Sequence, residues 1–168
     1  SEKGLETHLS MSQKKGLIPD SDLDERRMLS ESYAGAKVCQ KDDLVLNRLK
    51  AHLGVFALSP MEGVISPDYT VLRFDSSKIM PKFAELLLTS QLFRKELVIR
   101  VRGITEGFWR LYTEDLGEIY VCIPSIEEQA QICDSISALD AKISKLTKAL
   151  NDEIDYIKEF QMREGSDV

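Results

Sequence analysis

The chain has 168 residues, 43% hydrophobic and 30% charged, with a formal net charge of −6. That length accommodates one medium domain, or a small domain followed by a long helix. No apolar run approaches the roughly 20 residues of a membrane-spanning helix, and the polar Ser-Glu-Lys-Gly start lacks the pattern of a secretory signal.

Because position 1 is Ser and not Met, the chain is expected to be a fragment. Glu6 to Ser12 alternates in character and predicts a strand. Gln13 to Pro19 follows as a loop, punctuated by Gly16 and Pro19, with Lys14 and Lys15 at its tip. Asp20 to Ser32 is charged, has no apolar face, and reads as a solvated excursion with one helical turn at most. Tyr33–Val38 and Asp43–Leu46 are the next strands, joined by a turn at Cys39-Gln40-Lys41-Asp42. Asn47 to Gly54 is a polar, basic link. Val55–Leu58, Gly63–Ile65 and Thr70–Phe74 read as further strands, broken by Pro60 and Gly63 and by Ser66-Pro67-Asp68. Beyond Lys78 the period becomes helical. Pro81–Leu88 predicts a helix with Pro in its first turn, and Ser90–Arg100 a second, apolar at Leu92, Phe93, Leu97 and Val98. Arg100 to Arg110 is a glycine-bounded segment holding three arginines and the only tryptophan, Trp109. A last strand is expected over Glu118–Ile123.

Pro124 to Arg163 predicts one long helix. Ile136, Ile143, Leu150 and Ile157 recur every seventh residue, and Ile132, Leu139, Leu146, Glu153 and Phe160 form the offset row. This is an a/d seam over about four to five heptads, without Pro or Gly. Such a helix runs on the order of 50 Å, too long for a small domain to cover. It therefore needs a partner helix, from another chain or from a missing part of this one; Ile132, Ile136, Leu139, Ile143, Leu146, Leu150 and Ile157 are the candidate dimerisation residues, and pairing is expected to be antiparallel with a second copy. The competing arrangement is a helix folded back on its own domain. Glu153 at a d position is either a register device or a sign that the seam frays. Ser125 with Glu128 three residues on makes a capping box at the start. The reading is α+β: a β-rich domain over 1–124 and a coiled-coil helix over 125–168.

Catalytic patterns are missing. The sequence has no Gly-x-Gly-x-x-Gly loop, no phosphate-cradling Lys-Ser/Thr loop, no Gly-x-Ser-x-Gly elbow and no Asn-Pro-Pro-aromatic box. Asp42-Asp43 and Glu114-Asp115 fall at predicted turns or edges and read as solvated charges. Three cysteines at no ligand spacing and only two histidines give a metal site little support. Scattered, odd-numbered cysteines suggest reduced thiols in a cytoplasm. The acidity is uneven. Residues 1–124 hold 17 Lys+Arg against 18 Asp+Glu, a net of −1, and residues 125–168 hold 5 against 10, a net of −5. The first segment can therefore carry a basic face, and local field decides phosphate binding. Its candidates lie on loops or element ends: Gln13, Lys14, Lys15, Asn47, Arg48, Lys50, Arg100, Arg102 and Arg110. Arg can grip guanine and Asn or Gln adenine, whereas Lys more often sets register on phosphates. Each cluster alone also fits an ordinary solvated surface. Trp109 reads as packing, not as a base-stacking platform.

Several stretches together resemble the specificity subunits of Type I restriction-modification enzymes. Glu6-Thr7-His8-Leu9-Ser10-Met11-Ser12 with Gly16-Leu17-Ile18-Pro19 is similar to the family's "LLSVS…G". Asp43-Leu44-Val45-Leu46-Asn47 with Gly54 resembles "GDLVLN…GA.G", with Asp42 where the family usually has Gly. Gly63 to Val71 resembles "G.VSP.Y.V", and Phe83 to Phe93 the Leu-rich pair of short helices. Val121 to Gln129, with Ile132, resembles "V.IP…EQ..I".

The resemblance implies a target-recognition domain that reads half of a split site on double-stranded DNA, and one of two long antiparallel spacer helices. It implies no catalytic activity and no bound cofactor in this chain. S-adenosylmethionine is expected on the methyltransferase (modification) subunit, which this chain would direct together with a restriction subunit. Two other readings stay open on the residues: a protein-interaction adaptor dimerised by its coiled coil, and the recognition end of a fused restriction–methylation enzyme.

Overall fold

Residues 44–46 show why a β-rich globule forms. Leu44, Val45 and Leu46 are all buried, so the strand carrying them is covered on both faces. The structure is a computed structural model that describes residues 7–12, 15–23, 35–105 and 108–164; side chains at 104–109 and 162–164 lie outside that description. It contains strands β1 (Leu9–Ser12), β2 (Gly16–Pro19), β3 (Lys37–Cys39), β4 (Leu44–Asn47), β5 (Phe56–Leu58), β6 (Gly63–Ile65), β7 (Tyr69–Leu72), β8 (Arg102–Thr105) and β9 (Phe108–Arg110). The helices are α1 (Pro81–Thr89), α2 (Gln91–Arg100), α3 (Thr113–Gly117) and α4 (Ile126–Glu164), with 3-10 helices at Asp20–Asp22 and Arg48–Leu53. The fold is α+β.

β4 is the centre of a three-stranded antiparallel sheet, β5-β4-β7. Its Leu44 and Leu46 pack with Phe56, Leu88, Phe93, Leu97 and Leu111. On the other face Val45 packs with Leu9, Met11, Leu17, Cys39, Ala57 and Ile65. β1–β2, β3–β6 and β8–β9 are antiparallel pairs. Phe56 meets Phe93 edge to face, with ring centroids 6.1 Å apart. Ser90 caps α2, its Oγ accepting from the Phe93 N–H at 3.2 Å. α2 buries Phe93 and Leu97 but leaves Leu92 and Val98 exposed, so the expected apolar set divides between two faces.

The structure corrects four expectations. Gly16–Pro19 is a strand, not a loop: Gly16 takes a positive φ at the hairpin turn, and Pro19 lies at the open end of a two-stranded ladder. The Asn47–Gly54 link holds two short 3-10 turns joined at a kink at Lys50 (φ −120°, ψ 21°) and closed by Gly54 in the left-handed conformation. Glu118–Ile123 forms no strand; α3 precedes it, and Tyr120 is 99% exposed. Asp43 and Asp115 are not solvated turn charges. Asp43 is buried and accepts a two-pronged bond from Arg73 at 2.8 and 2.6 Å, plus the Gln40 N–H at 2.7 Å. Burial pushes its carboxyl pKa up, but the Arg73 fork and the Gln40 amide outweigh burial and hold it below the usual value. Asp42 adopts φ +68°, a left-handed conformation that favours glycine, the residue the resemblance places there.

The chain divides into two units, Ser1–Gln129 and Ala130–Val168. α4 begins with the predicted capping box: the Ser125 N–H donates to Glu128 Oε2 at 3.0 Å, and the Glu128 N–H to Ser125 Oγ at 3.3 Å. One turn in, Gln129 is fully buried. Its Oε1 accepts from the Met80 N–H at 2.8 Å, and its Nε2 donates to the carbonyls of Lys78 and Pro124, both at 2.9 Å. Among the seam residues, Ile132, Leu139, Ile143, Leu146, Leu150 and Ile157 are exposed and Ile136 is half-buried. The helix continues through Glu153. Ile154, also exposed, stands beside Glu153 and carries the apolar stripe from Leu150 to Ile157.

Candidate nucleic-acid interface

The basic link is built as a short platform. Asn47 Oδ1 accepts from the Leu49 N–H at 3.1 Å and so caps the 3-10 helix that carries Arg48 and Lys50. Ala51 is buried in the core beneath it. The Leu111 N–H donates to the Arg48 carbonyl at 3.2 Å, fastening the end of the β8–β9 hairpin to this platform. Hairpin register sets Arg102 opposite Arg110. Directly opposite residues of an antiparallel pair project from the same face.

Arg48 and Arg110 converge on the turn after β6. Arg48 Nε donates to the Asp68 carbonyl at 2.9 Å, and a guanidinium NH2 donates to the Pro67 carbonyl at 3.3 Å. That NH2 lies 3.9 Å from Asp68 Oδ1, which accepts from Arg110 at 3.3 Å. Lys37 joins from the start of β3, its Nζ donating to the Tyr69 carbonyl at 2.5 Å. Burial, then the charge of Arg48, hold the Lys37 ammonium below its ordinary pKa; Asp68 opposes and Arg110 adds to the depression. Two guanidinium groups thus reach the one carboxylate of Asp68, while the Lys37 ammonium is held at the neighbouring Tyr69 carbonyl.

The other candidates are placed differently. Arg102 pairs with Asp115 Oδ1 at 2.5 Å and lies over the Tyr112 ring, 5.8 Å from its centroid. Arg100 pairs with Glu96 along α2. Lys15 stands exposed at the tip of the β1–β2 hairpin, where its N–H donates to Ser12 Oγ. Lys50 is half-buried. Gln13 and Lys14 lie outside the described residues, as does the Trp109 side chain. The structure therefore brings together Arg48, Arg110 and, through the hairpin, Arg102. It adds Lys37 and Asp68, which sequence reasoning missed. The link that joins them is the β3–β6 register, Lys37 opposite Ile65, one residue before the Ser66–Tyr69 turn.

Among the described residues no helix is long and apolar enough to cross a membrane. No curated protein matches the chain. A solved chain, from work on complex assembly and conformational transition of the type I R-M system, is similar in fold. The TM-score is 0.54 at 19% identity, covering 67% of this chain and 26% of that one. The present chain thus spans about a quarter of that protein's length. The family model described as "Type I restriction modification DNA specificity domain" matches residues 24–156. That match takes in the basic platform, the Asp68 turn, the arginine hairpin and most of α4, and on it the chain belongs to the Type I restriction-modification DNA specificity family.

Proposed function

We propose that this chain is the non-catalytic recognition component of a Type I restriction-modification enzyme in the cytoplasm. Its globular unit reads half of a split target on double-stranded DNA, and its helix is the spacer that recruits the machinery. The modification subunit carries S-adenosylmethionine and the methyl transfer, the restriction subunit carries cleavage, and this chain carries no cofactor. The observation that carries the reading is the gathering of Arg48, Arg110 and Lys37 from three separate segments, beside the hairpin that holds Arg102. An adaptor with no DNA role gives no reason for that convergence.

The test uses the complex with the modification subunit. Sites methylated in cells carrying that complex identify the target duplex. Arg102→Ala is expected to weaken binding to it by roughly 1–3 kcal/mol if Arg102 contacts a base, with little change on a scrambled duplex. Equal losses on both would make Arg102 a phosphate contact. No change on either would remove it from the interface. A wild-type complex that did not distinguish the two duplexes would sink the reading.

The arm pairs antiparallel with the arm of a second copy. The exposed Ile132, Leu139, Ile143, Leu146, Leu150 and Ile157 support this, because an apolar stripe of that length is stable in water when another helix covers it. Sedimentation of the purified chain at high micromolar concentration should give twice the monomer mass. A strict monomer would contradict the pairing.

A further inference from the structure

We propose that Lys37, Arg48 and Arg110 form a clamp for one backbone phosphate of nucleic acid, and that the Asp68 carboxylate holds the anion's seat until a phosphodiester takes it. The proposal rests on the DNA-recognition reading and refines it: Arg48 and Arg110 set register on the backbone, leaving Arg102 for the bases. Four observations support it.

Charge is unbalanced. Beside the one carboxylate, the acceptors for the three cations are the uncharged carbonyls of Pro67, Asp68 and Tyr69. Among the described residues the cluster keeps an excess of two positive charges; burial is the first cause of the depressed Lys37 ammonium, and the charge of Arg48 the second. The carboxylate is a loose partner. Its contacts of 3.9 Å to Arg48 and 3.3 Å to Arg110 exceed the roughly 2.7–2.9 Å of a charge-assisted bond. One donor is idle: among the described residues, Arg110 Nε is buried and has no acceptor. Finally, the cations are held in place while the acid is accessible. The side chains of Arg48 and Arg110 are 18% and 30% exposed, against 48% for Asp68. Groups fixed before binding lose little freedom on binding.

In this arrangement Asp68 repels the phosphate that the three cations attract. It therefore restrains binding to any duplex, whatever its sequence, and favours targets whose base contacts outweigh the exchange.

The experiment measures affinity for target and scrambled duplexes across a salt series, using the complex with the modification subunit. Asp68→Asn keeps the shape and the Oδ1 acceptor and removes the charge. It should tighten scrambled-duplex binding several-fold and steepen the slope of log K against log salt by about 1. Lys37→Met should weaken both duplexes alike and make that slope shallower by about 1. Wild-type slopes in both variants, with the target still distinguished, would overturn the clamp and leave the recognition reading standing. Weaker binding by Asp68→Asn at every salt concentration, with an unchanged unfolding midpoint, would also overturn it. If Asp68→Asn does not fold, the slope of Lys37→Met decides alone. A wild-type complex that binds neither duplex overturns both proposals.

Discussion

Gln129→Ala is expected to lower the thermal midpoint of the globular unit by roughly 10 °C, taking about 2–4 °C per kcal/mol at this size. The side chain is fully buried and joins three backbone groups from two stretches far apart in sequence: the Met80 N–H and the Lys78 carbonyl on one side, the Pro124 carbonyl on the other. α1 has no capping side chain of its own at Met80. Truncation leaves one donor and two acceptors without their partner, at about 1–3 kcal/mol for each group that water cannot reach. It also leaves a void. Gln129→Leu separates the two contributions, because it fills the volume and restores no bond. The leucine variant should recover only a small part of the loss. Calorimetry or circular dichroism reads the midpoints. A drop of less than about 3 °C in the alanine variant, near 1 kcal/mol or below, would show that the three bonds do not matter.

Gly63→Ala should cost roughly 2–4 kcal/mol, from overpacking and a weakened backbone bond together. The reason is crowding. A Cβ there would sit 2.7 Å from the Thr7 carbonyl oxygen and 2.8 and 2.9 Å from Leu9 Cδ1 and Cγ. The Thr7 oxygen cannot simply retreat, because it accepts the Val64 N–H at 2.9 Å. Leu9 is buried among Met11, Leu17 and Ile65, so it has nowhere easy to turn. In urea the midpoint should fall with the slope unchanged, the mark of a loss in stability and not of a changed unfolded state. A shift under about 0.5 kcal/mol, the range of a neutral surface change, would mean that the two chain segments separate freely at this point.

Much of the architecture was legible because its signals are local. The capping box at Ser125 and Glu128, the heptad rows of α4, Pro at the first position of α1, and the runs at Leu44 and Gly63 each lie within a few residues. The failures came where a partner elsewhere in the chain decides. Gly16-Leu17-Ile18-Pro19 carries loop punctuation, yet β1 pairs with it across a turn that Gly16 allows. Ile119, Val121 and Ile123 alternate like a strand, yet among the described residues no strand pairs with them, and of the three only Ile119 packs against the core. The β8–β9 hairpin was hidden by its glycines. Gly63 read as a breaker, when its role is to let the backbone of Thr7 come close.

The candidate interface was half legible for the same reason. Arg48, Arg102 and Arg110 stand out by residue type and by their loops. Their acidic partners do not, since Asp68 and Asp115 lie 20 and 13 residues from Arg48 and Arg102. Lys37 enters only through strand pairing. Asn47 was read as an adenine-gripping candidate, and the structure shows its oxygen occupied as a helix cap.

The first turn of α4 has a consequence for how the helix forms. A helix in isolation is limited by its nucleus, because several residues must be ordered before the first bond closes. In this chain the Ser125–Glu128 box and the bonds of Gln129 close that first turn against the folded globule. The cost of closing a first turn is thus met at the end that leaves the globule, and each further residue needs only to extend a turn already closed.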